Sequence, residues 1–506
     1  MQDILHDKQL KGRTSMTAYD ELIAFQRDTE ALGQISGRMG WDQETMMPRG
    51  SAEQRSEEFA AIEGVLHARR TDPKLGEWLA AIDTAALDDV GRANIRIISQ
   101  NYERTQKVPA DLSAEMARVT SLSQSQWAAA RAEDDFAAFA PVQAKVVDLV
   151  REQGQAMADG GDTYDALLQG YEPGATGAQL AAMFDALRPR LLVLREKILG
   201  VDAPTALAGE FDEAKQMELS GEMAAAFGYD FNRGRIDKAV HPFSSGSGHD
   251  VRITTRTALT DPFNCIYSTI HEVGHGAYEQ NINPDFALTP LGSGVSMGVH
   301  ESQSRIYENQ MGRGRAFTGF VFDRMQAHFG DMNVTDADAF YAAVNRVQSG
   351  YIRTEADEIH YNLHVLLRFD LERALISGDL AVNDLEAAWN DRFEVDFGIK
   401  VDKASNGCLQ DVHWPVGLIG YFPTYSLGNV YAGCLNVAMR KAVPDVDASL
   451  AKGDASPATN WLRENLQQHG GLFEPAEVIT RASGAAPSEG PLLDYLEAKF
   501  EALYNL

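Results

Sequence analysis

The amino-acid sequence predicts a mainly α-helical protein that folds as a single large domain over residues 1–506. Apolar residues recur at helical spacing far more often than they alternate, and 44% of the residues are hydrophobic, enough for a large core. The chain contains no repeat of fixed period and no low-complexity stretch. Its segments rich in Gly, Pro and Ser are therefore expected to be loops within one domain rather than linkers.

The N-terminal helices are predicted to span about residues 17–70. Thr17 and Asp20 have the spacing of a capping box, and an apolar stripe follows them at helical spacing. The stripe consists of Leu22, Phe25, Leu32 and Ile35. Further segments with the same spacing lie at 178–199, 335–348, 359–377 and 490–505. These segments are expected to be helices as well.

One short segment is predicted to be a β-strand. After the Gly/Ser-rich residues 244–248, apolar or β-branched residues alternate with polar ones. The alternating set consists of Val251, Arg252, Ile253, Thr254, Thr255 and Arg256. We expect an edge strand or one strand of a plain surface hairpin, just upstream of His271. An edge strand there could hold an extended peptide through main-chain hydrogen bonds.

Composition excludes several classes of function. The net charge of -28 repels nucleic acid and acidic membranes, and the basic residues are scattered rather than gathered into a stripe. No apolar run approaches the roughly 20 residues of a membrane span, and residues 1–8 lack the apolar core of a signal peptide. The three cysteines, Cys265, Cys408 and Cys434, provide neither a disulfide framework nor a CxxC pair. A cytoplasmic protein that binds neither nucleic acid nor membranes is expected.

The run His271-Glu272-Val273-Gly274-His275 has the pattern H-E-x-x-H in a segment that can be helical. On a helix His271 and His275 lie one turn apart on one face, so both imidazoles can bind one Zn²⁺ with Glu272 beside its water. The alternative is a helix whose histidines only satisfy hydrogen bonds. Nine of the twelve histidines lie between positions 241 and 413, which favours a metal site within a catalytic half at about 241–430.

Two histidines and one water leave a catalytic zinc one protein ligand short. The metzincin pattern does not supply it, because Tyr278 and Asn281 occupy the positions where that pattern needs Gly and His. The candidates are Glu301 and Glu308 on the next predicted helix, and the residues alone do not separate them. Alternatively, Glu301 forms only an i, i+4 ion pair with Arg305 on a solvated helix face.

Six motifs follow one another along the chain. They are His241-Pro242-Phe243, Asp250-Val251-Arg252-Ile253-Thr254 (DxRxT), the H-E-x-x-H run, His300-Glu301-Ser302-Gln303, Ile352-Arg353-Thr354-Glu355-Ala356-Asp357 (IRxxAD) and Gly407-Cys408-Leu409-Gln410-Asp411-Val412-His413-Trp414 (GxxQDxHW). Together the motifs resemble those of the carboxypeptidase Taq family of metallocarboxypeptidases. The resemblance covers essentially the whole chain, from Trp41 to the C-terminal helices, without a departure at any motif position.

The resemblance implies several properties. Glu301 is expected to complete a site of two histidines and one glutamate, which binds Zn²⁺ or, in some members, Co²⁺. The fold is expected to be helical with a deep active-site groove. The N-terminal helices at about 17–70 are expected to form the roof of that groove. Members of the family are homodimers that remove C-terminal residues from peptides with broad preference, so peptide substrates with a free C-terminus are the expected partners.

Roles follow for the remaining candidates. Zinc lowers the pKa of bound water to about 7, and Glu272 is the expected general base that later returns the proton to the leaving amine. Tyr421, by similarity to related zinc peptidases, or else His413, is expected to stabilise the oxyanion. As an alternative, either is a packed aromatic or a structural hydrogen-bonding group.

An exopeptidase must also bind a free α-carboxylate, which a guanidinium does through two parallel hydrogen bonds. Arg353 is the candidate, and the rival interpretation is an internal salt bridge with the neighbouring Glu355, Asp357 or Glu358. His241 and Arg252 are expected to help shape the same pocket.

Two other functions are consistent with the zinc pattern. An oligopeptide endopeptidase would share the metal site but would not need Arg353 to bind a carboxylate. A non-catalytic zinc-stabilised scaffold that binds peptides would need a fourth protein ligand in place of water, and Glu272 would be dispensable.

Overall fold

The computed structural model describes residues 16–506, which form twenty α-helices and one three-stranded β-sheet. Residues 1–8, on which the expected absence of a signal peptide rests, lie outside the described residues. Nine helices precede the sheet: α1 (Ala18–Thr45), α2 (Ala52–Arg70), α3 (Pro73–Ala81), α4 (Asp89–Lys107), α5 (Ala110–Glu133), α6 (Phe136–Ala158), α7 (Thr163–Leu168), α8 (Gly177–Leu199) and α9 (Glu213–Ala226).

The sheet is followed by the remaining helices. They are α10 (Pro262–Asn281), α11 (Met297–Arg305), α12 (Arg315–Phe329), α13 (Ala337–Val344), α14 (Glu358–Ser377), α15 (Leu385–Phe397), α16 (Pro423–Ala442), α17 (Val446–Leu450), α18 (Ser456–Asn465), α19 (Pro475–Ser483) and α20 (Gly490–Tyr504). A π-helical segment, Ile306–Gly312, continues α11. The mainly helical fold and the four helical segments predicted in the C-terminal two thirds of the chain are thus confirmed.

The sheet consists of β1 (Ile236–Lys238), β2 (Ser244–Ser247) and β3 (Asp250–Thr255). The predicted hairpin is present, because β2 pairs antiparallel with β3. The prediction that the segment at 251–256 is an edge strand is wrong: β1 pairs parallel with the other side of β3, so β3 is the central strand. Its main-chain groups are therefore paired on both sides, and within the described part of the chain only β1 and β2 have a free edge.

Helix α1 begins as predicted, with the Thr17 side chain accepting a hydrogen bond from the Asp20 amide at 3.1 Å. Its first half packs into a small core of its own, which consists of Leu22, Leu75, Ile95 and Ile98. Ile35, predicted to lie on the same stripe, is exposed, because the second half of α1 contacts the β-hairpin through polar side chains. In that contact, Gln34 donates to Ser247 at 2.8 Å, and Arg38 pairs with Asp250 at 2.7 Å.

A second, much larger core cluster extends from Ala93 to Tyr504 and contains the buried faces of α10, α11, α14 and α16. Helix α10 lies inside this core and packs against β3, α9 and α11. Within residues 16–506, no helix is both long and apolar enough for a membrane span. The extent of the domain, predicted as 1–506, stays a prediction.

Candidate active site

Helix α10 carries the H-E-x-x-H residues. The helix begins where Asp261 accepts a hydrogen bond from the Asn264 amide, with Pro262 in the first turn, and no proline interrupts it. His271 and His275 lie one turn apart, with ring centroids separated by 5.0 Å. Both side chains remain partly accessible, each 17% exposed, so a ligand can reach them.

Glu301 on α11 faces both histidines. Its Oε2 atom lies 3.7 Å from Nε2 of His271 and 3.4 Å from Nε2 of His275, and the three ligand atoms lie within 4.8 Å of one another. Two imidazole nitrogens and one carboxylate oxygen form a donor set that suits a catalytic zinc and leaves one position for water. The donor set therefore fits a divalent metal ion of the zinc type.

Two glycines permit this close approach of three helices. A Cβ atom at Gly274, inside the H-E-x-x-H run, would lie 2.5 Å from the Gln303 carbonyl oxygen on α11. A Cβ atom at Gly428 on α16 would lie 2.6 Å from the Cβ of Glu301. Because neither glycine has a side chain, α11 fits between α10 and α16, and Glu301 is brought to the histidines.

The second nitrogen of each histidine is also occupied. Nδ1 of His271 lies 2.9 Å from the Glu308 carboxylate, on the π-helical segment. Nδ1 of His275 lies 2.7 Å from Nδ1 of His300, whose Nε2 in turn lies 2.9 Å from Glu279. Such partners fix the tautomer so that both Nε2 atoms are available as ligands. Glu308, the second candidate for the third ligand, thus lies on the far side of His271 from Glu301.

The Glu301–Arg305 ion pair considered as an alternative is present, at 2.6 Å, but both partners are buried rather than solvated. It uses Oε1 of Glu301, whereas Oε2 faces the histidines. Burial alone would raise the pKa of Glu301, but the Arg305 guanidinium and both histidines hold the pKa of that carboxyl well below its ordinary value. The ion pair therefore keeps the Glu301 carboxylate ionised and oriented.

Glu272 follows His271 on α10 and is 6% exposed. Burial raises its pKa to about 7, and the charges of Glu301 and Glu308 act in the same direction. A carboxylate with a pKa near neutrality can both accept and return a proton at physiological pH. Glu272 thus lies next to His271 on the helix that carries both candidate ligand histidines.

Arg353 is buried, and its guanidinium donates to Oδ1 of Asp411 at 2.9 and 3.2 Å. Arg368 donates to the other oxygen of Asp411 at 2.7 Å, so one carboxylate serves two guanidinium groups. Arg353 therefore does form an internal salt bridge, but with Asp411 rather than with the acids of its own segment. Two buried cations against one anion leave a surplus positive charge at this point of the site.

The surplus charge is connected to the cluster of His271, His275 and Glu301 through Tyr361. The Tyr361 hydroxyl lies 3.3 Å from Nη1 of Arg353, and the guanidinium of Arg305, which pairs with Glu301, lies 4.0 Å from the Tyr361 ring centroid. Both guanidiniums thus contact one aromatic side chain.

His413 and Tyr421 lie together beside this cluster, with ring centroids 5.5 Å apart. Nε2 of His413 lies 3.2 Å from the Tyr425 hydroxyl, and the Tyr425 ring contacts that of Tyr421 at 5.3 Å. Burial lowers the pKa of His413 to about 4, so its imidazole is neutral at physiological pH. Burial raises the pKa of Tyr421, and the nearby Glu301 carboxylate raises it further, so the phenol keeps its proton.

His241 and Arg252 are not among the residues brought together at the metal ligands. The Arg252 guanidinium pairs with Asp250 at 2.8 Å and lies 4.4 Å from the Trp41 ring of α1, so it holds α1 on the hairpin. His241 is exposed in the segment between β1 and β2. Asp357, considered as an ion-pair partner of Arg353, instead caps α14 and contacts Nδ1 of His360 at 2.8 Å.

Sequence reasoning missed the roles of three residues. Asp411 stands inside the GxxQDxHW motif, so the motif itself could have identified it. Arg368 and Tyr361 carry no comparable signal, because they are ordinary positions on the long helix α14. Only the packing of α14 against the 411–421 loop brings them to Arg353.

The chain was compared with known families, curated proteins and solved structures. The carboxypeptidase Taq (M32) metallopeptidase family matches residues 21–500. Thermostable carboxypeptidase 1 of Thermus thermophilus is 39% identical over 510 residues, covering 97% of this chain and 100% of that protein. Carboxypeptidase 1 of Bacillus subtilis is 34% identical over 479 residues, covering 92% and 95%.

A solved structure is similar over the same extent. The M32 carboxypeptidase from Deinococcus radiodurans R1 superimposes with a TM-score of 0.94 at 38% identity, covering 97% of this chain and 100% of that one. The family predicted from the motifs is confirmed, and with it the prediction of a metal-dependent peptide hydrolase. The chain belongs to the carboxypeptidase Taq (M32) family of metallopeptidases.

Proposed function

We propose that this chain removes single residues from the free C-terminus of peptides in a reaction that depends on Zn²⁺, with Co²⁺ as an alternative metal. The observation that carries the proposal is the surplus positive charge of Arg353 and Arg368 around Asp411, joined through Tyr361 to the metal ligands. A buried surplus cation is stabilised by an incoming anion, and a peptide's terminal carboxylate is the anion that distinguishes a carboxypeptidase substrate.

His271, His275 and Glu301 hold the metal ion in this proposal. When bound, the ion supplies Lewis-acid chemistry, which acidifies water and polarises the peptide carbonyl. Glu308 and the His300–Glu279 pair keep the histidine rings in the required tautomer and orientation. Zinc suits the two nitrogens and one oxygen of this donor set, and cobalt accepts similar ligands.

Glu272 acts as the general base. Its buried carboxylate takes a proton from the attacking water and delivers it to the leaving amine. Tyr421 donates a hydrogen bond to the oxyanion that develops on the scissile carbonyl. His413 is the alternative donor. The Tyr425 hydroxyl occupies Nε2 of His413, so Nδ1, which has no hydrogen-bond partner within the described residues, is the atom through which His413 would donate.

Arg353 binds the terminal carboxylate of the peptide. Its Nε and Nη2 atoms are held by Asp411, while Nη1 is directed at the Tyr361 hydroxyl. Asp411 therefore orients the guanidinium, and Arg368 keeps Asp411 from neutralising it. Arg252 shapes the groove indirectly by holding α1 on the hairpin.

The experiment compares one peptide as the free acid with the same peptide as the C-terminal amide. Both are incubated with purified protein, with and without chelator, and with re-added Zn²⁺ or Co²⁺. Stepwise loss of C-terminal residues from the free acid alone, abolished by chelator, supports the proposal. Internal cleavage of both peptides points to the endopeptidase, which has no use for the surplus charge. Bound metal without cleavage points to the scaffold.

The proposal also includes a cytoplasmic homodimer. All three cysteines are free thiols, two of them buried, as expected in a reducing compartment. Light scattering coupled to size-exclusion chromatography tests the dimer, because a mass of 55.4 kDa is expected for the monomer. A mass of one protomer at micromolar concentration would exclude a stable dimer.

A further inference from the structure

The loop between Asp411 and Tyr421 carries both proposed oxyanion donors but has no regular helix or strand. Such a loop lacks the repeated hydrogen bonds that hold a helix in place. Its geometry therefore depends on side chains from neighbouring elements. Within the described residues, one buried carboxylate contacts it near both ends.

That carboxylate belongs to Glu372 on α14, which is fully buried. Oε2 accepts a hydrogen bond from Nε1 of Trp414 at 3.1 Å, and Oε1 accepts one from the amide of Gly420 at 3.2 Å. Oε1 also accepts a hydrogen bond from the Tyr164 hydroxyl of α7 at 2.5 Å. Glu372 thus joins the residue after His413, the residue before Tyr421 and helix α7.

Among residues 16–506, no side chain of opposite charge donates a hydrogen bond to Glu372. Arg368, one turn earlier on α14, is engaged with Asp411. Burial raises the pKa of Glu372 to about 7, while the three neutral donors favour the ionised form. Two of the three donors, the Trp414 indole and the Gly420 amide, belong to the 411–421 loop, so loss of the carboxylate would leave both without their acceptor.

The backbone at Gly420 adds a second constraint. Gly420 has φ +89°, a conformation that favours glycine, and a Cβ atom there would lie 3.3 Å from the backbone nitrogen of Leu168 at the end of α7. The next side chain, Tyr421, packs edge-on against Tyr171 at 5.2 Å. Tyr421 is therefore held between the Glu372–Gly420 hydrogen bond and the residues that follow α7.

We propose that Glu372 is a positioning residue that holds the 411–421 loop so that Tyr421 faces the metal ligands. The inference rests on the proposed function, in which Tyr421 stabilises the oxyanion. Glu372 does not contact the reacting atoms in this proposal. It acts through the Gly420 amide and the Trp414 indole.

The substitution Glu372→Gln tests this positioning role directly. Glutamine keeps the size of glutamate but has a single acceptor oxygen, so its NH₂ group must face either the Trp414 N–H or the Gly420 N–H. At one of the two loop contacts, the glutamine NH₂ then faces another N–H donor, and that hydrogen bond is lost. The Tyr164 hydroxyl can rotate to accept a hydrogen bond, so the loss falls on the contacts with the loop.

The experiment is a double-mutant cycle with Glu372→Gln, Tyr421→Phe and their combination, measured on a free-acid peptide with saturating metal. We expect Glu372→Gln to lower kcat about 10- to 100-fold, less than the roughly 100- to 1,000-fold loss from removing an oxyanion donor outright, with KM and metal affinity unchanged. In the Tyr421→Phe background, adding Glu372→Gln should change kcat less than about twofold. Glu497→Gln, at a surface carboxylate that pairs with Arg190, is the control and should have no effect.

Hydrogen–deuterium exchange provides a readout apart from activity. Peptides covering 411–421 should exchange faster in Glu372→Gln, while peptides from α10 keep their wild-type rates. If Glu372→Gln does not fold, Gly420→Ala disturbs the same hydrogen bond from the loop side and should give the same kinetic signature.

Different results would contradict the role of Glu372, the role of Tyr421 and the proposed function. Additive losses in the cycle, or unchanged exchange at 411–421, would overturn the inference while leaving the carboxypeptidase intact. Full activity of Tyr421→Phe would overturn both the oxyanion role of Tyr421 and the inference built on it. Absence of carboxypeptidase activity in the wild-type protein would instead overturn the proposed function itself.

Discussion

Nδ1 of His271 lies 2.9 Å from the Glu308 carboxylate, while Nε2 of the same ring is directed at Glu301. The carboxylate fixes the ring and raises the basicity of the ligand nitrogen. Glu308→Gln should therefore weaken metal binding about 10- to 100-fold. Competition with a fluorescent zinc chelator measures the change.

The matched control is Glu133→Gln, the same substitution at an exposed position at the end of α5. Because Glu308 also pairs with Arg305 and Arg313, thermal unfolding of the metal-free variant must show that the fold persists. An unchanged zinc affinity in a folded Glu308→Gln variant would contradict the proposed role of the contact.

Arg353→Lys should reduce the preference for a free C-terminus. Lysine keeps the charge but cannot hold Asp411 and a substrate carboxylate through a planar fork. The ratio of kcat/KM for the free-acid peptide to that for the amide should fall about 10- to 100-fold, as for a charge-assisted hydrogen bond of about 1.5–3 kcal/mol. Parallel kinetics on the two peptides give the ratio.

Arg190→Lys is the control, because Arg190 forms a two-pronged pair with Glu497 on the surface, at 2.8 and 2.7 Å. It should leave the ratio unchanged. A constant ratio in Arg353→Lys would mean that another group binds the terminal carboxylate.

The H-E-x-x-H pattern predicts helix α10 and its two histidines. The sequence alone does not decide whether Glu301 or Glu308 is the third candidate ligand. The two glutamates are seven residues apart, which places them on the same face of a continuous helix. The choice depends on how α11 packs on α10, and that packing depends on Gly274, whose absent Cβ admits the backbone of α11. A single sequence contains no direct signal of such a contact.

The position of β3 in the sheet and the partner of Arg353 also depend on tertiary contacts that the sequence does not reveal. The alternation at 251–256 predicts β3, but β1 has only three residues, too few to show a period, so the sequence does not reveal the second neighbour of β3. The acids beside Arg353 in sequence suggested a local ion pair. Its partner Asp411 is 58 residues away and is brought there by tertiary packing.

The contact between Arg38 of α1 and Asp250 of the hairpin leads to a prediction about substrate length. If the N-terminal helices roof the groove, Arg38→Ala should loosen that roof and favour longer peptides. An exposed ion pair is worth about 0.2–1 kcal/mol, so the ratio of kcat/KM for a long peptide to that for a short one should rise up to about fivefold. Steady-state kinetics on two free-acid peptides of different length measure it.

Arg27→Ala removes an exposed arginine from the same helix and serves as the control. A ratio that stays at the wild-type value in Arg38→Ala would remove the idea that this contact limits substrate length. Deletion of residues 17–70 should shift the ratio in the same direction and further.

The last prediction concerns Glu172, a buried carboxylate in the segment after α7 that contacts the start of α11. It accepts hydrogen bonds from the Gly298 amide at 2.9 Å and from the Tyr431 hydroxyl at 3.0 Å. Burial raises its pKa from 4.5 to about 7. Between these values the folded protein holds a proton that the unfolded chain has lost, so the free energy of unfolding falls as pH rises through this window. Glu172→Gln should remove this contribution.

Urea unfolding of the metal-free proteins at about pH 5 and about pH 8 measures the difference between Glu172→Gln and wild type. The free energy of unfolding of the variant, relative to that of wild type, should be higher at about pH 8 than at about pH 5 by up to about 3 kcal/mol. This follows because one pKa unit corresponds to about 1.4 kcal/mol. Glu272 and Glu372 titrate in the same window but are present in both proteins, so their contributions cancel. Glu133→Gln should show no such change, and an equal stability difference at both pH values would mean that Glu172 does not titrate between them.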